Sequence, residues 1–318
     1  MAVYTEVSFE DLERLLQNYD IGMPLAFKGI AEGVENSNYY LQTDRGAYIL
    51  TLYEKRVNPD DLPFYLGLME HLARRGIVCP LPVPARDGAL SATLNRRPCA
   101  IVTFLNGLSV RRPAPVHCAA AGAALAQLHL AGEGFAITRA NALGPAGWKP
   151  LVEVCQPHGD GVEPGLGELI GDAFSGITAA WPDLPSGVIH ADLFPDNVLF
   201  MNNAVSGVID FYFACNDMFA YDLAVMLNSW CFEADGSYNI TKGQALATAY
   251  RAVRPLSDAE VAAIPTLMQG ASLRFLLTRL FDWVHHDPNA LVHPKDPREY
   301  SKKLRFHLKV KHAKEYGL

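Results

Sequence analysis

The feature that most constrains the fold of this 318-residue chain is a change of hydrophobic period near residue 105. Before this point, short runs rich in aromatic and branched residues predict strands separated by turns. Beyond it, apolar residues recur at helical spacing over most of the chain. The pattern predicts an α+β protein with an antiparallel sheet unit at residues 1–105 and a larger helical unit at residues 106–318.

The N-terminal unit is predicted to be a sheet with one or two helices. Ser8 is placed to cap a helix that has one apolar face, and a second helix is expected at residues 59–75, ending at Gly76. The strand candidates are residues 25–30, 38–43, 47–53, 89–94 and 98–105. Because short turns separate the second run from the third and the fourth from the fifth, the sequence predicts two hairpins.

The C-terminal unit is predicted to be helical, with one interruption. The helix candidates are residues 117–130, 166–181, 220–231, 241–253, 257–285 and 297–311. The interruption consists of two short apolar runs on either side of Asn202 and Asn203, and asparagine tolerates the positive φ of a tight turn. Such a hairpin would bring Asp210 back beside Asn197.

Three residues around this hairpin form a set that suits phosphoryl transfer. Asp192 precedes Asn197 by five residues, and Asp210 follows the second strand. The reaction needs one carboxylate to accept the proton of an attacking hydroxyl and oxygen ligands that hold magnesium against nucleotide phosphates. A lone Asp is more often a turn or cap residue, but the joint spacing favours Asp192 as the base and Asn197 and Asp210 as magnesium ligands.

Residues 190–197 and the Ile-Asp-Phe sequence at 209–211 resemble the signature of the aminoglycoside phosphotransferase and choline kinase-like superfamily. Further segments are similar to its bacterial homoserine kinase branch, at residues 33–40, 48–54, 221–224 and 273–279. The resemblance implies a two-lobed protein kinase-like fold with ATP and Mg²⁺ as cofactors. It also implies an enzyme that phosphorylates the hydroxyl of L-homoserine on the route to threonine.

The resemblance implies roles for residues outside the catalytic set. The N-terminal unit is expected to cover the nucleotide, with contacts at Gly33, Asn36, Asn38, Thr103 and Leu105. A loop of glycine and asparagine can cradle phosphate oxygens, although an ordinary hairpin turn has the same composition.

His190 and Asp222 are expected to have structural roles. In the family pattern the histidine packs beneath the catalytic loop, which here is residues 190–197, and holds it by hydrogen bonds. Asp192 already fills the position of the base. Asp222 is expected to cap or brace a helix near that loop rather than to bind the metal.

One part of the family pattern is missing from the third strand. Members of the superfamily often carry a Lys or Arg there that contacts phosphate and pairs with a Glu on the next helix. The aligned positions in this chain are Thr51 and, approximately, Tyr65. Because either charge retained alone would lack compensation, the two are absent as a unit. Lys55 or Arg56 could supply a charge instead, although charged residues at the end of a strand are more often simply exposed to solvent.

The acceptor site is expected in the helical unit. The zwitterion homoserine needs a cation for its carboxylate, for which Arg274 and Arg279 are the candidates, and an acid for its ammonium, for which Asp217 is the candidate. A structural salt bridge is an equally good reading of each residue alone. Other acceptors, namely an aminoglycoside, choline or methylthioribose, and a non-catalytic pseudokinase remain alternatives.

Charge and cysteine content exclude several other classes of function. The net charge is −7 and no run of five like charges occurs, so neither a nucleic-acid footprint nor a basic membrane patch is expected. The six cysteines are scattered, which suits reduced thiols better than zinc or disulfides. The N-terminal segment carries early acidic residues and does not resemble a signal peptide. The sequence therefore predicts a soluble cytoplasmic protein with a small-molecule substrate, and it leaves the oligomeric state open.

Overall fold

The structure, a computed structural model, describes residues 5–30, 36–54, 57–286 and 293–318. The chain forms two compact units, Met1–Asn106 and Gly107–Leu318. The first unit is built on an antiparallel sheet and the second mainly on helices. This arrangement confirms the predicted α+β class.

The N-terminal unit contains a five-stranded sheet with the order β1-β2-β3-β5-β4. Its strands are β1 (Pro24–Gly29), β2 (Ser37–Thr43), β3 (Gly46–Leu52), β4 (Ala92–Leu94) and β5 (Arg97–Thr103). All the pairs are antiparallel, and the two predicted hairpins, β2 with β3 and β4 with β5, are confirmed.

Two helices accompany the sheet. Helix α1 (Phe9–Leu16) begins at Ser8, whose hydroxyl accepts from the Asp11 N–H in a capping box. Helix α2 (Leu62–Arg74) follows a 3-10 turn at Pro59–Asp61. The buried face of α1 joins alternate residues of β2 and β3 in one apolar core, because side chains alternate between the two faces of a strand.

The second unit contains most of the helices of the described chain. They are α3 (Pro115–Ala131), α4 (Pro145–Cys155), α5 (Leu166–Ala179), α6 (Phe219–Trp230), α7 (Ile240–Val253), α8 (Asp258–Val284) and α9 (Arg298–His307). The predicted helices are confirmed to within a few residues at each end. Helix α4 was not predicted, because Pro150 and Gly147 lie inside it and break the helical pattern.

Two small strand pairs frame the segment that carries the predicted catalytic residues. Strands β7 (Val198–Met201) and β8 (Ala204–Val208) form the predicted hairpin, with φ of 50° at Asn202 and 65° at Asn203. Strands β6 (Ser186–Ile189) and β9 (Cys215–Met218) form a second antiparallel pair that the sequence did not predict. Because β6 and β9 are neighbours, the chain enters and leaves this segment at one place.

Helix α8 is the longest helix of the second unit, and most of its apolar residues are buried. By length and composition alone it could cross a membrane, but 67% of the relevant window is buried inside the protein, and a core helix meets the same criterion. It packs closely on its neighbours: a Cβ atom at Gly270 would lie 2.3 Å from the Trp181 ring. Its apolar composition is therefore accounted for by packing within the unit.

Candidate active site

The catalytic loop begins directly after β6 and places Asp192 beside Asn197. The side-chain nitrogen of Asn197 donates to the backbone oxygen of Asp192 at 2.8 Å and lies 3.4 Å from its carboxylate oxygen Oδ2. Asn197 ends a short 3-10 helix, Pro195–Asn197, and its side chain is buried. The five-residue step between the two residues therefore corresponds to one compact turn.

The β7–β8 hairpin returns the chain to this turn. The Ile209 N–H donates to the Asn197 carbonyl at 3.0 Å, so Asp210 follows immediately beside Asn197. Asp210 has a φ of 66°, a left-handed conformation that a residue other than glycine adopts at a cost of roughly 1–3 kcal/mol. The surrounding hydrogen bonds thus hold the three residues of the predicted set in one place.

Asp222 fixes the backbone at the start of the catalytic loop. Its carboxylate accepts from the His190 N–H at 2.7 Å and from the Ala191 N–H at 2.8 Å. The residue is fully buried in the first turn of α6. Burial alone would raise the pKa of Asp222, but the hydrogen bond from His129 and the nearby imidazoles hold that pKa below its ordinary value.

A chain of buried polar side chains continues from Asp222. The Nε2 atom of His129 lies 3.0 Å from Asp222 Oδ2, and its Nδ1 atom lies 2.8 Å from the Tyr250 hydroxyl. Arg254 donates to that hydroxyl at 3.3 Å and to Glu260 at 2.9 Å. Burial lowers the pKa of His129, so the neutral ring donates from Nε2 and accepts at Nδ1. Each hydrogen bond in this series of side chains, from Glu260 to Asp222, therefore joins a donor to an acceptor.

His190 links the two segments that carry the predicted base and metal ligands. Its ring is fully buried, with Nε2 at 3.0 Å from the Ile209 carbonyl and Nδ1 at 3.3 Å from the Asp192 N–H. Burial lowers the pKa of His190, which favours the neutral ring. These are the contacts of a residue that holds the loop, and its structural role stays a prediction.

The carboxylate of Asp192 is in an unusual electrostatic setting. Burial raises its pKa to about 8, Arg274 and Lys295 oppose that rise, and Asp210 and Asp196 add to it. The side chain is nevertheless half-exposed, so solvent and any bound cation reach it. A divalent ion at the neighbouring oxygen ligands would lower this pKa further and favour the ionised form that a base requires.

The three residues predicted to bind the acceptor each have protein partners. Asp217 accepts from the Asn141 amide at 2.6 Å and from the Met218 N–H at 2.7 Å. Arg279 pairs with Glu299 at 2.6 Å. Arg274 is buried and donates to the Ala191 carbonyl. These contacts favour the structural reading of each residue, and the substrate roles stay predictions.

Residues predicted to contact the nucleotide are also hydrogen-bonded within the first unit. Gly33 lies outside the described residues. The side-chain oxygen of Asn36 accepts from the Glu54 N–H at 3.2 Å, and that of Asn38 accepts from the Thr51 hydroxyl at 2.8 Å. Thr51 is buried opposite Asn38 on β3. At the strand position where the family pattern has a cation, this chain therefore has a threonine, and the hydroxyl of that threonine donates a hydrogen bond to Asn38.

Other predicted nucleotide residues lie around the end of β5. The Thr103 hydroxyl accepts from the Leu81 N–H at 2.9 Å, and Leu105 is half-buried just beyond the strand. Tyr65, the helix position of the missing ion pair, is buried in α2. Lys55 and Arg56, the alternative source of charge, lie outside the described residues.

Sequence reasoning missed several residues that surround the catalytic loop. His129 and Tyr250 support Asp222, and the Trp230 indole donates to the Leu193 carbonyl at 2.8 Å. A histidine among the small apolar residues of α3 was the available signal, because a polar side chain on a buried face needs a partner. Lys295 was also missed: its ammonium lies 5.8 Å from the Phe194 ring centroid, and no local pattern marks it.

Comparison with known proteins agrees with this geometry. The model of the phosphotransferase enzyme family matches residues 26–256. A homoserine kinase of Xanthobacter autotrophicus is 61% identical over 319 residues, covering 100% of this chain and 99% of that protein. A homoserine kinase of Azorhizobium caulinodans is 60% identical with the same coverage. The chain belongs to the homoserine kinase family of phosphotransferases. It is therefore a kinase that transfers phosphate from ATP to a small molecule.

Solved structures confirm the fold. The chain superimposes on an amicoumacin kinase in complex with AMP-PNP, Ca²⁺ and Ami with a TM-score of 0.72 at 15% identity, covering 98% of this chain and 93% of that one. A spectinomycin phosphotransferase in complex with ADP and its antibiotic gives a TM-score of 0.67 at 14% identity, with 98% of both chains covered. The predicted kinase-like fold is confirmed.

Proposed function

We propose that the protein transfers the γ-phosphoryl group of ATP to the side-chain hydroxyl of L-homoserine, giving ADP and O-phospho-L-homoserine. The observation that supports this most strongly is 61% identity to a homoserine kinase over the full length of both chains. The cluster of Asp192, Asn197 and Asp210 supplies groups suited to the chemistry.

Asp192 is the base of the proposed reaction. As the homoserine hydroxyl oxygen bonds to the γ-phosphorus, the bond from that phosphorus to the β–γ bridging oxygen breaks and ADP leaves. The hydroxyl proton passes to the Asp192 carboxylate, which also orients the hydroxyl for in-line attack. The backbone contacts of His190, Ala191 and Asn197 fix the loop, so this orientation is present before substrate binds.

The donor set of Asn197 and Asp210 fits magnesium. The Asn197 amide nitrogen donates to Asp192, which leaves the amide oxygen as the atom that can coordinate a metal ion. An amide oxygen and a carboxylate are hard ligands of the kind that hold Mg²⁺ together with nucleotide phosphates and water. When bound, the ion would neutralise charge on the phosphates. The nucleotide contacts of the first unit, at Gly33, Asn36, Asn38, Thr103 and Leu105, belong to the same proposal.

The charged ends of homoserine require charged partners near Asp192. Arg274 and Arg279 are the carboxylate candidates from the sequence and Asp217 is the ammonium candidate. We add Lys295 to the carboxylate candidates, because it is exposed beside Phe194 of the catalytic loop and its charge acts on Asp192. Alanine at a residue that binds the carboxylate should raise the KM of homoserine far more than that of ATP.

A panel of hydroxyl acceptors tests the substrate. Purified protein, ATP and Mg²⁺ are incubated with L-homoserine, choline or kanamycin, and phosphorylated products are measured by ³¹P NMR and mass spectrometry. We expect O-phospho-L-homoserine and no product from the other two, because a missing charged end leaves a polar group of the site unpaired. Higher kcat/KM for choline or an aminoglycoside would overturn the substrate while leaving the phosphotransferase assignment intact.

We also propose a cytoplasmic location. All six cysteines are free and buried, as expected in a compartment that keeps thiols reduced. Localisation of a C-terminal fluorescent fusion in the native cell tests this, and a periplasmic signal would contradict it.

A further inference from the structure

Arg274 is a buried cation in the middle of α8. Its side chain is 1% exposed, and its Nε atom has no partner among the described residues. One terminal nitrogen donates to the Ala191 carbonyl. The guanidinium carbon lies 4.6 Å from the Phe275 ring centroid and 5.6 Å from that of Phe213. The guanidinium thus contacts one carbonyl and two aromatic rings and forms no ion pair among the described residues, although its charge also lowers the pKa of Asp192.

Packing alone does not account for an arginine at this position. A buried guanidinium without an ion-pair partner is costly, and apolar residues of similar volume in place of buried charges are often neutral or stabilising. The other buried cations of the described chain have acidic partners: Lys242 pairs with Glu233 at 2.7 Å and Lys303 with Glu299 at 2.7 Å. Arg274 therefore requires an explanation other than stability.

The carbonyl that Arg274 contacts belongs to the peptide group preceding the base. The Ala191 carbonyl and the Asp192 N–H lie in one plane, so the direction of the first fixes that of the second and of the Asp192 Cα. Ala191 has a φ of 62°, which an alanine adopts only under constraint. Asp222 holds the amide side of Ala191 at 2.8 Å, and Arg274 holds its carbonyl side.

Arg274 also touches the segment that follows the metal ligands. Phe213 lies in the 3-10 turn directly after Asp210, and Phe275 packs on Phe194 of the catalytic loop with ring centroids 4.9 Å apart. The guanidinium therefore contacts residues of both segments at once. A side chain in that place can couple the position of the base to that of the metal ligands.

We propose that Arg274 is a positioning residue, which holds the peptide between Ala191 and Asp192 in its left-handed turn and so orients the carboxylate of Asp192 for proton transfer. The proposal rests on Asp192 being the base of the proposed function. In this proposal Arg274 does not bind the carboxylate of the acceptor, the role expected for it from the sequence. The guanidinium then affects turnover rather than acceptor affinity.

The test compares two variants and one control. Arg274→Met keeps the volume and removes the hydrogen bond to Ala191, and Arg274→Lys keeps a donor. Lys303→Met is the control: it also removes a buried cation, one that donates to the Asn228 carbonyl and packs on Tyr300 and Phe232. For each protein, kcat, the KM values of homoserine and ATP, and the thermal unfolding midpoint are measured.

We expect Arg274→Met to lower kcat roughly 100-fold, the loss that a misplacement of about 1 Å produces, with both KM values within about threefold of wild type. Its unfolding midpoint should be unchanged or higher, and Arg274→Lys should recover part of kcat. Lys303→Met should lower the midpoint and leave kcat unchanged. A rise of more than about tenfold in homoserine KM with kcat retained would overturn the proposal in favour of carboxylate binding.

A crystal structure of Arg274→Met provides a readout that does not depend on the acceptor. We expect Ala191 to leave its positive φ and the Asp192 carboxylate to move. An unchanged loop would overturn the proposal, whatever the activity. Failure of wild-type protein to phosphorylate homoserine would instead overturn the proposed function, and the crystallographic result would still decide the role of Arg274.

Discussion

Asp222, a buried aspartate of α6, and Asp192, a half-buried aspartate of the catalytic loop, lie on either side of Ala191, yet their surroundings differ. Asp222 accepts from two backbone N–H groups and from His129, and its pKa lies below the ordinary value. Among the described residues, the carboxylate of Asp192 has only the long 3.4 Å contact with the Asn197 amide, and burial raises its pKa to about 8. The protein therefore supplies several hydrogen bonds to the first carboxylate and one long contact to the second.

The same difference extends to the neighbours of each residue. Around Asp222, His129, Tyr250 and Arg254 form one chain of complete hydrogen bonds. Near Asp192, Arg274 Nε and the Tyr300 hydroxyl are buried without partners in the described part of the chain. Unsatisfied buried groups cost free energy of folding, so the region around Asp192, the proposed base, carries a stability cost that the region around Asp222 does not.

The largest expected effect is on turnover in Asp192→Asn. An amide cannot accept the hydroxyl proton, so kcat should fall on the order of 10³-fold. Because the amide is neutral, the unfolding free energy should stay the same or rise. Steady-state kinetics and urea unfolding measure the two quantities. Near wild-type turnover would remove Asp192 from the role of base.

Asp222→Asn should show the opposite behaviour in stability. Its amide nitrogen would face an N–H donor, so the unfolding free energy should fall by about 3 kcal/mol, as when one partner of a buried polar pair is removed. Tyr250→Phe is a milder variant that deletes the two hydrogen bonds of the Tyr250 hydroxyl, with His129 and with Arg254, and it should cost about 1–2 kcal/mol. Equal stability changes in Asp222→Asn and Asp192→Asn would remove the distinction between the two regions.

A further expected effect is on nucleotide binding in Asp210→Ala. Removing a metal ligand should weaken magnesium-dependent ATP binding roughly 100-fold, since the ion contributes several kcal/mol through the phosphates. Isothermal titration with and without Mg²⁺ measures this. Asp196→Ala, an exposed carboxylate on the same loop, serves as the matched control and should bind normally. Full magnesium dependence in Asp210→Ala would show that the metal binds elsewhere.

The approach of Asp192, Asn197 and Asp210 to one another could be predicted from the sequence, because the contacts that bring them together are local. Asn202 and Asn203 mark the hairpin directly, and the short spacing of Asp192 and Asn197 fits one turn. The supports of the loop were not predictable in the same way. Asp222 bonds to Ala191 across 31 residues and to His129 across 93, distances at which no periodic pattern carries information.

The roles of Arg274 and Arg279 could not be predicted from the sequence either, because they depend on burial. Arg274 and Arg279 lie five residues apart on one helix and read alike. In the structure one is buried beneath the catalytic loop, whereas the other pairs with Glu299. Only the tertiary contacts distinguish the arginine that donates to the catalytic loop from the arginine that forms an ion pair with a neighbouring helix.

The smallest predicted effect is a difference in how the two regions respond to pH. The folded-state pKa of Asp192, about 8, lies above its unfolded value of 3.8, so the folded state binds the extra proton between those values. Its contribution to stability is complete at low pH and is lost as the pH rises to 8. The pKa of His129 is lowered instead, so its contribution is present above pH 6.5 and is lost as the pH falls.

Urea unfolding at pH 5.5 and pH 7.5 in EDTA distinguishes these two opposite dependences of the unfolding free energy on pH. Relative to wild type, Asp192→Asn should gain on the order of 2 kcal/mol of unfolding free energy between the two pH values, because the variant lacks the aspartate whose stabilising proton is lost. Asp196→Ala should stay close to wild type, because Asp196 contributes least to the raised pKa of Asp192 among the residues that act on it. A constant difference between Asp192→Asn and wild type across this range would show that Asp192 is already ionised in the free protein. The unsatisfied carboxylate would then be held by solvent, and the contrast with Asp222 would rest on hydrogen bonding alone.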